Sequence, residues 1–297
     1  MFVNWLGALP GATAQGMIWG LMAIGVYVTY KILDMADLTV DGSLCTGGAV
    51  CAVLVTHGVN LWVAMVAALV AGMLAGLVTG LLHTFMGIPP ILAGILTQLM
   101  LWSANLKIMG KANIALPARN YDLLLAAMNV GASLIAMSAV VVIMIAGLYW
   151  FFGTELGASL RATGNNIHMS RAQGINTDFT KMLGVVLSNG IVALAGALLA
   201  QYQGFADISM GRGAIVIGLA AVIIGEAVVT RISRNFAVLL LGVILGGIIY
   251  FFVYQTVIFL GLDADLLKML SAVVVAIFLA VPHWKHTWFK GPVPTRE

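Results

Sequence analysis

Long apolar runs broken by short polar islands set the pattern of this chain. Crossing the hydrocarbon core of a bilayer takes about 20 residues of helix. On that scale span 1 falls at about Gly11–Tyr30. An uncharged stretch over 42–106 follows after a short acidic segment, with room for about three helices. His57-Gly58 and Gly87-Ile88-Pro89-Pro90 divide it into span 2 (Ser43–Thr56), span 3 (Leu61–Leu82) and span 4 (Pro89–Leu106). Later runs predict span 5 at Ala132–Phe152, span 6 at Met182–Gln203, span 7 at Gly213–Val229, span 8 at Phe236–Phe259 and span 9 at Leu266–Val281. Met1–Pro10 reads as an interfacial lead-in with Trp5 at headgroup level, and the tail HWKHTWFKGPVPTRE as an interfacial anchor followed by disorder. The polar stretch Lys107–Asn129 reads as an external loop with a short helix in it. The expectation is a single domain over 1–297, an all-α polytopic transmembrane bundle of about eight to ten spans.

One island is larger than a turn. From Gly153 to Lys181 polar groups cluster at Glu155, Arg161, Asn165, Asn166, His168, Arg171, Gln173, Asn176, Asp178 and Lys181. Gly157, Gly164 and Gly174 punctuate it, and Ser159–Met169 is expected to form a short helix. Such a segment is either a solvated connector or a docking element for a soluble partner.

Composition agrees with the pattern. The chain is 62% hydrophobic and 8% charged, with mean hydropathy +1.06, where a soluble domain carries roughly a quarter charged residues. Net charge is only +3, and the basic residues sit at span ends, where they signal topology; nucleic acid is not implied. With the island placed in the cytoplasm, nine Lys/Arg fall inside and five outside, which predicts an external N-terminus and a cytoplasmic C-terminus. The first basic residue is Lys31, so no basic region of a signal peptide precedes span 1. Cys45 and Cys51 lie in an apolar run and read as small buried hydrophobes.

An internal echo is present. ADLTVDG at Ala36–Gly42 and ADISMGRG at Ala206–Gly213 each follow one span and precede a Gly/Ala-rich one. In the predicted topology they lie on opposite faces, the sign of an inverted repeat with broken helices. The alternative is that both are polar caps on helix starts. Gly72, Gly76 and Gly80, and Gly242 and Gly246, recur at four-residue spacing, which permits close helix packing in lipid. Polar groups within or beside spans are Gln98, Ser103, Asn105, Asn189, Gln201, Gln203 and Glu226. Such groups face protein or a water-filled path. For Glu226 the expected partners are Arg231 or Arg234; His57 and His83 are expected at the interface. The sequence holds no phosphate-cradling G-x-x-x-x-G-K-[ST], no H-E-x-x-H and no C-x-x-C. It therefore offers no catalytic or metal site, and any ATP hydrolysis belongs to another polypeptide.

The string LRATGNNIHMSRAQGIN from Leu160, followed by a span and AGALLAQYQGFADISMGRGAIVIGLAAVIIG, resembles the permease family of ABC importers for branched-chain amino acids, ribose and nucleosides. The resemblance implies a type II importer fold and places a coupling helix in the island. Arg161, Thr163, Gly164, Asn165, Asn166, Arg171 and Gly174 would then face an ATPase subunit. It also implies two permease subunits around one path, expected here as a homodimer in the cell membrane. Separate ATPase subunits would use ATP and Mg, with no cofactor bound by this chain, and a solute-binding protein would sit outside. Asp37, Thr39, Asp41, Gln98, Asn105, Asn189, Asp207 and Ser209 are the candidate path residues. The expected cargo is an amino acid, branched-chain or aromatic, with a nucleoside or sugar as the alternative. The Asp/Thr-rich ADLTVDGS segment and Glu226 depart from the branched-chain members. An ATP-independent channel or secondary transporter is the rival reading.

Overall fold

The computed structural model describes residues 2–117, 121, 123–229 and 235–259, with isolated positions beyond. Ten α-helices and a pair of short strands are described: α1 (Phe2–Tyr27), α2 (Val40–Thr56), α3 (Leu61–Thr84), α4 (Pro90–Met109), β1 (Asn113–Ala115), α5 (Val130–Gly153), α6 (Glu155–Asn165), α7 (Ile167–Ala172), α8 (Thr177–Gln203), β2 (Phe205–Asp207), α9 (Ala214–Val229) and α10 (Phe236–Phe259). Among the described residues, six helices are long and apolar enough to cross a membrane: α1, α3, α4, α5, α8 and α10. Span 9, the tail, the Trp5 side chain, Arg119, Asn120, Asp122, Arg231 and Arg234 lie outside the described residues.

α1 and α8 lie antiparallel at the centre. Gly25 O accepts from Ser188 Oγ near one end of the pair, and Gly11 O accepts from Tyr202 Oη near the other. α1 closes in a π turn over Val28–Ile32, where Leu33 N reaches back to Val28 O. Asp34 then takes a left-handed conformation, φ 54°, and the chain folds back into the bundle. It arrives beside Asn189, the thirteenth of the 27 residues of α8. Only there does α2 begin. At 17 residues it is about 25 Å long, too short to span about 30 Å, and it runs from mid-depth toward the end of α8. The second half repeats this. After α8 the chain turns back through β2, and α9, of 16 residues, begins against the first turn of α2. It runs the other way, alongside the second half of α1, so that Glu226 reaches Lys31.

Two short helices therefore start together at mid-depth and point to opposite faces. Spans 2 and 7, expected as whole crossings, are half-helices completed by re-entrant chain, and the ADLTVDG and ADISMGRG segments are those re-entries. Local geometry matches as well: Asp37 Oδ1 accepts from Thr39 N at 2.8 Å and Asp207 Oδ1 from Ser209 N at 2.7 Å. The packing obeys the same exchange, with α3 against α8 and α10 against α1. The glycine stripes make these approaches possible. A Cβ on Gly72 would overlap backbone of α8 at Asn189, and one on Gly246 would overlap Ala221 O of α9.

Other expectations change. α1 starts at Phe2 and carries Pro10 within it, so the lead-in is helical. Among its described residues the loop after α4 holds strand β1, antiparallel to β2, where a short helix is expected. The island contains two helices, because the extended backbone of Asn166 ends one and its side chain caps the next by accepting from Met169 N at 3.0 Å. It also ends early: Asn176 caps α8, so Asp178 and Lys181 belong to a spanning helix.

Candidate functional site

Two polar regions stand out, one on the face where α6 and α7 lie and one where the half-helices meet. At the first, α6 is seated on the ends of α1 and α8. A Cβ on Gly164 would overlap the Ile32 carbonyl. Thr163 Oγ1 and Thr180 Oγ1 share a buried hydrogen bond of 2.9 Å. Arg161 donates to Phe152 O at 2.7 Å, tying α6 to the end of α5. Arg171 pairs with Asp178 at 3.3 Å and donates to Thr177 Oγ1 at 2.8 Å. Gly174 turns the chain at φ 81°. Arg161, Asn166 and Arg171 thus use polar atoms inside the chain, while Asn165 stays exposed and lines a cleft of about 590 Å³ with Tyr30, Lys31 and Arg161. Met169 on α7 is an exposed apolar side chain, 60% open to solvent. Lys31 and Glu226 form an ion pair of 2.7 Å here. Nothing local in the sequence marks that partnership, because 195 positions separate the two residues.

At mid-depth the path candidates divide into two groups. Asp37, Thr39 and Asn189 are buried, at 4%, 0% and 0% exposure. Asn189 Nδ2 donates to Asp37 Oδ2 at 2.7 Å, and Ser43 Oγ donates to Asn189 Oδ1 at 2.6 Å. Thr39, Thr79 and Thr97 continue as a hydroxyl chain at 2.7 and 2.9 Å. This network joins α2, α3, α4 and α8, and each of its side chains is buried.

Asp41, Gln98 and Asn105 instead surround a small cavity of about 40 Å³, with Gly42, Cys45, Trp102, Ile208 and Arg212. Asp41 accepts from Gly213 N at 2.9 Å and from Ile215 N at 3.0 Å. A carboxylate on the first turn of one half-helix thus caps the start of the other, where free N–H groups and the helix dipole favour an anion. The Arg212 guanidinium lies 4.5 Å from the centre of the Trp102 ring, a cation–π geometry. Asn105 is 1% exposed, and its Oδ1 has no hydrogen-bond partner. Asp207 and Ser209 sit above, on the strand pair, where Asn113 Nδ2 donates to Asp207 Oδ2 at 3.3 Å. The hydrogen bond from Ser209 holds the Asp207 carboxyl below the usual carboxylate range, so it is ionised at neutral pH.

Sequence reasoning missed Trp102, Arg212 and Cys45. A tryptophan well inside an apolar span, away from the headgroup belt, and an arginine between two glycines at a re-entry were the available signals. The cysteines are free and buried, and no group of metal-binding side chains is found among the described residues.

Comparison with known proteins follows this geometry. Residues 9–281 match the family model described as branched-chain amino acid transport system / permease component. The chain is 40% identical over 275 residues to a tyrosine transport system permease protein of Clostridioides difficile, covering 93% of this chain and 91% of that one. It is 28% identical to the autoinducer 2 import system permease protein LsrC of Escherichia coli, over 72% of this chain and 61% of that one. Among solved structures, PsaBC from Streptococcus pneumoniae in complex with Fab shares the fold, with TM-score 0.52 and 15% identity over 95% of each chain.

Proposed function

Since the chain belongs to the family of branched-chain amino acid transport system permease components, we propose that it is the membrane subunit of an ATP-driven importer of an amino acid with an apolar or aromatic side chain. The observation that carries the reading is mechanical. The exposed α7 is joined to α6, and α6 is seated without slack on Ile32 and Thr180. A push on Met169 is thereby delivered to the ends of α1 and α8, the two helices from which the half-helices return. An ATPase subunit binding there has the lever it needs. ATP acts only by binding one conformation of the assembly better than the other. Face assignment follows: the α7 side is cytoplasmic, and α1 begins on the outer side. A solute-binding protein delivers cargo over the strand pair, and a second copy of the chain closes the path. The tyrosine and branched-chain names among its relatives favour an amino acid over a sugar or nucleoside.

The test is capture of a candidate ATPase by the purified permease in lipid, with Met169→Glu and His168→Asp as exposed variants. Wild type should bind the ATPase and stimulate hydrolysis, and both variants should lose it while keeping their melting temperature. An ATPase that wild type fails to bind, or that the variants bind equally, refutes the coupling role and returns the channel reading.

A further inference from the structure

The cavity at the meeting of the half-helices is built for a particular chemistry. Its inner wall offers acceptors. Asp41 accepts the backbone N–H groups of Gly213 and Ile215, with the N–H of Ala214 also turned toward it, and a carboxylate has about four acceptor positions, so at least one remains. Asn105 Oδ1 is buried with no donor, which is unfavourable in a space shut off from water. Gln98 lines the same space, and its amide makes no hydrogen bond to protein among the described residues. At the mouth the chemistry reverses: Arg212 is a fixed cation lying on the face of Trp102. A space of about 40 Å³ holds a water or an ammonium group, and no whole amino acid.

We propose that this cavity is a holding site for an α-amino acid in transit. The ammonium enters among Asp41, Gln98 and Asn105, the carboxylate takes Arg212, and Trp102, released by Arg212, receives the side chain. The proposal rests on the importer reading for its cargo. Its chemistry rests on the acceptor wall. An ammonium supplies three donors to match the unused acceptors, and it is admitted to a low-dielectric site only where a carboxylate accompanies it. The Arg212–Trp102 stack closes the site when cargo is absent. That explains an arginine held over an aromatic face among the described residues, with no carboxylate paired to it in a salt bridge. A sugar or nucleoside would bring Arg212 no anion beyond Asp207, whose charge already acts on it.

The probes are tyrosine, tyramine and 3-(4-hydroxyphenyl)propionate, presented at millimolar concentration to the full-length permease alone in nanodiscs and read by saturation-transfer NMR. Tyrosine and tyramine should bind, and the propionate, which lacks the ammonium, should not. Asn105→Leu and Gln98→Leu should each weaken tyramine binding about tenfold, the loss of one hydrogen bond to a charged group. Arg212→Gln should weaken tyrosine and leave tyramine unchanged. Trp102→Phe keeps an aromatic face and should retain both, so a variant that merely misfolds is recognised by losing every probe. Equal binding of the propionate and tyramine, or indifference of tyramine to Asn105→Leu, overturns the site. The assay contains no ATPase, so failure here is separate from failure to capture one, which would sink the importer reading.

Discussion

Replacing Asn189 by alanine tests the mid-depth network directly. The amide donates to Asp37 Oδ2 and accepts from Ser43 Oγ, with every partner buried. Alanine leaves two polar groups unsatisfied away from water. Each such group costs about 1–3 kcal/mol in a protein interior. Measured hydrogen bonds between membrane helices average less, about 0.6 and at most about 1.7 kcal/mol, because the unfolded chain in the membrane also finds partners. The expected loss is therefore about 2–4 kcal/mol. Unfolding in mixed micelles, followed by circular dichroism, measures it. The exchange Asp37→Asn with Asn189→Asp restores these two contacts, since an asparagine at 37 can donate to an aspartate at 189 that still accepts from Ser43, although it gives up the donation from Asn189 Nδ2 to Val185 O. Recovery of at least half the loss in that double variant would show that the pair carries the effect. If Asn189→Ala costs under about 0.5 kcal/mol, the range of ordinary surface changes, the network is not what fixes the start of α2.

Three further outcomes are expected. Gly164→Val should drive a side chain into the Ile32 carbonyl and cost about 1–3 kcal/mol by overpacking; α6 should shift, and ATPase stimulation should fall further than ATPase binding. Asp41→Asn exchanges one of two charge-assisted contacts for a facing N–H pair, and micelle unfolding should show a loss of about 1.5–3 kcal/mol. Glu226→Gln breaks a half-exposed pair and should cost under about 1 kcal/mol; a larger loss would mean that Lys31 and Glu226 hold the inner end of α9 in place.

Most of the fold was legible because lipid imposes one demand on every span, a run of apolar residues of fixed length. The boundaries of α3, α4, α5 and α10 therefore came within a few residues of expectation. The half-helices were harder. An apolar run of 17 residues in α2 reads as a short span in a thinned bilayer or as half of one, and only the contact between Asp41 and Gly213 separates the two. The echo of ADLTVDG in ADISMGRG carried that information, since a repeated aspartate two residues before a hydroxyl encodes the same hydrogen-bonded turn twice. Within the site, Asp41, Gln98 and Asn105 were visible as polar residues in apolar surroundings. Asp37 and Asn189 were equally visible, yet they bond one another, and composition does not distinguish a polar group that is satisfied from one that is waiting. Arg212 and Trp102, 110 positions apart, meet only through the re-entry after β2.

The meeting of α2 and α9 also has an electrical consequence. Each helix start carries about half a positive charge, and here two of them converge at mid-depth on the Asp41 carboxylate, while Arg212 at the mouth is offset by the charge of Asp207. The junction is close to neutral. Moving one elementary charge through a membrane costs or yields about 2.3 kcal/mol per 100 mV, so a centre of either sign would invite ions down the potential. A balanced centre invites none, and a zwitterion carries no net charge across. Uptake through such a junction would be electrically silent, with its rate indifferent to the voltage that the rest of the cell works to maintain.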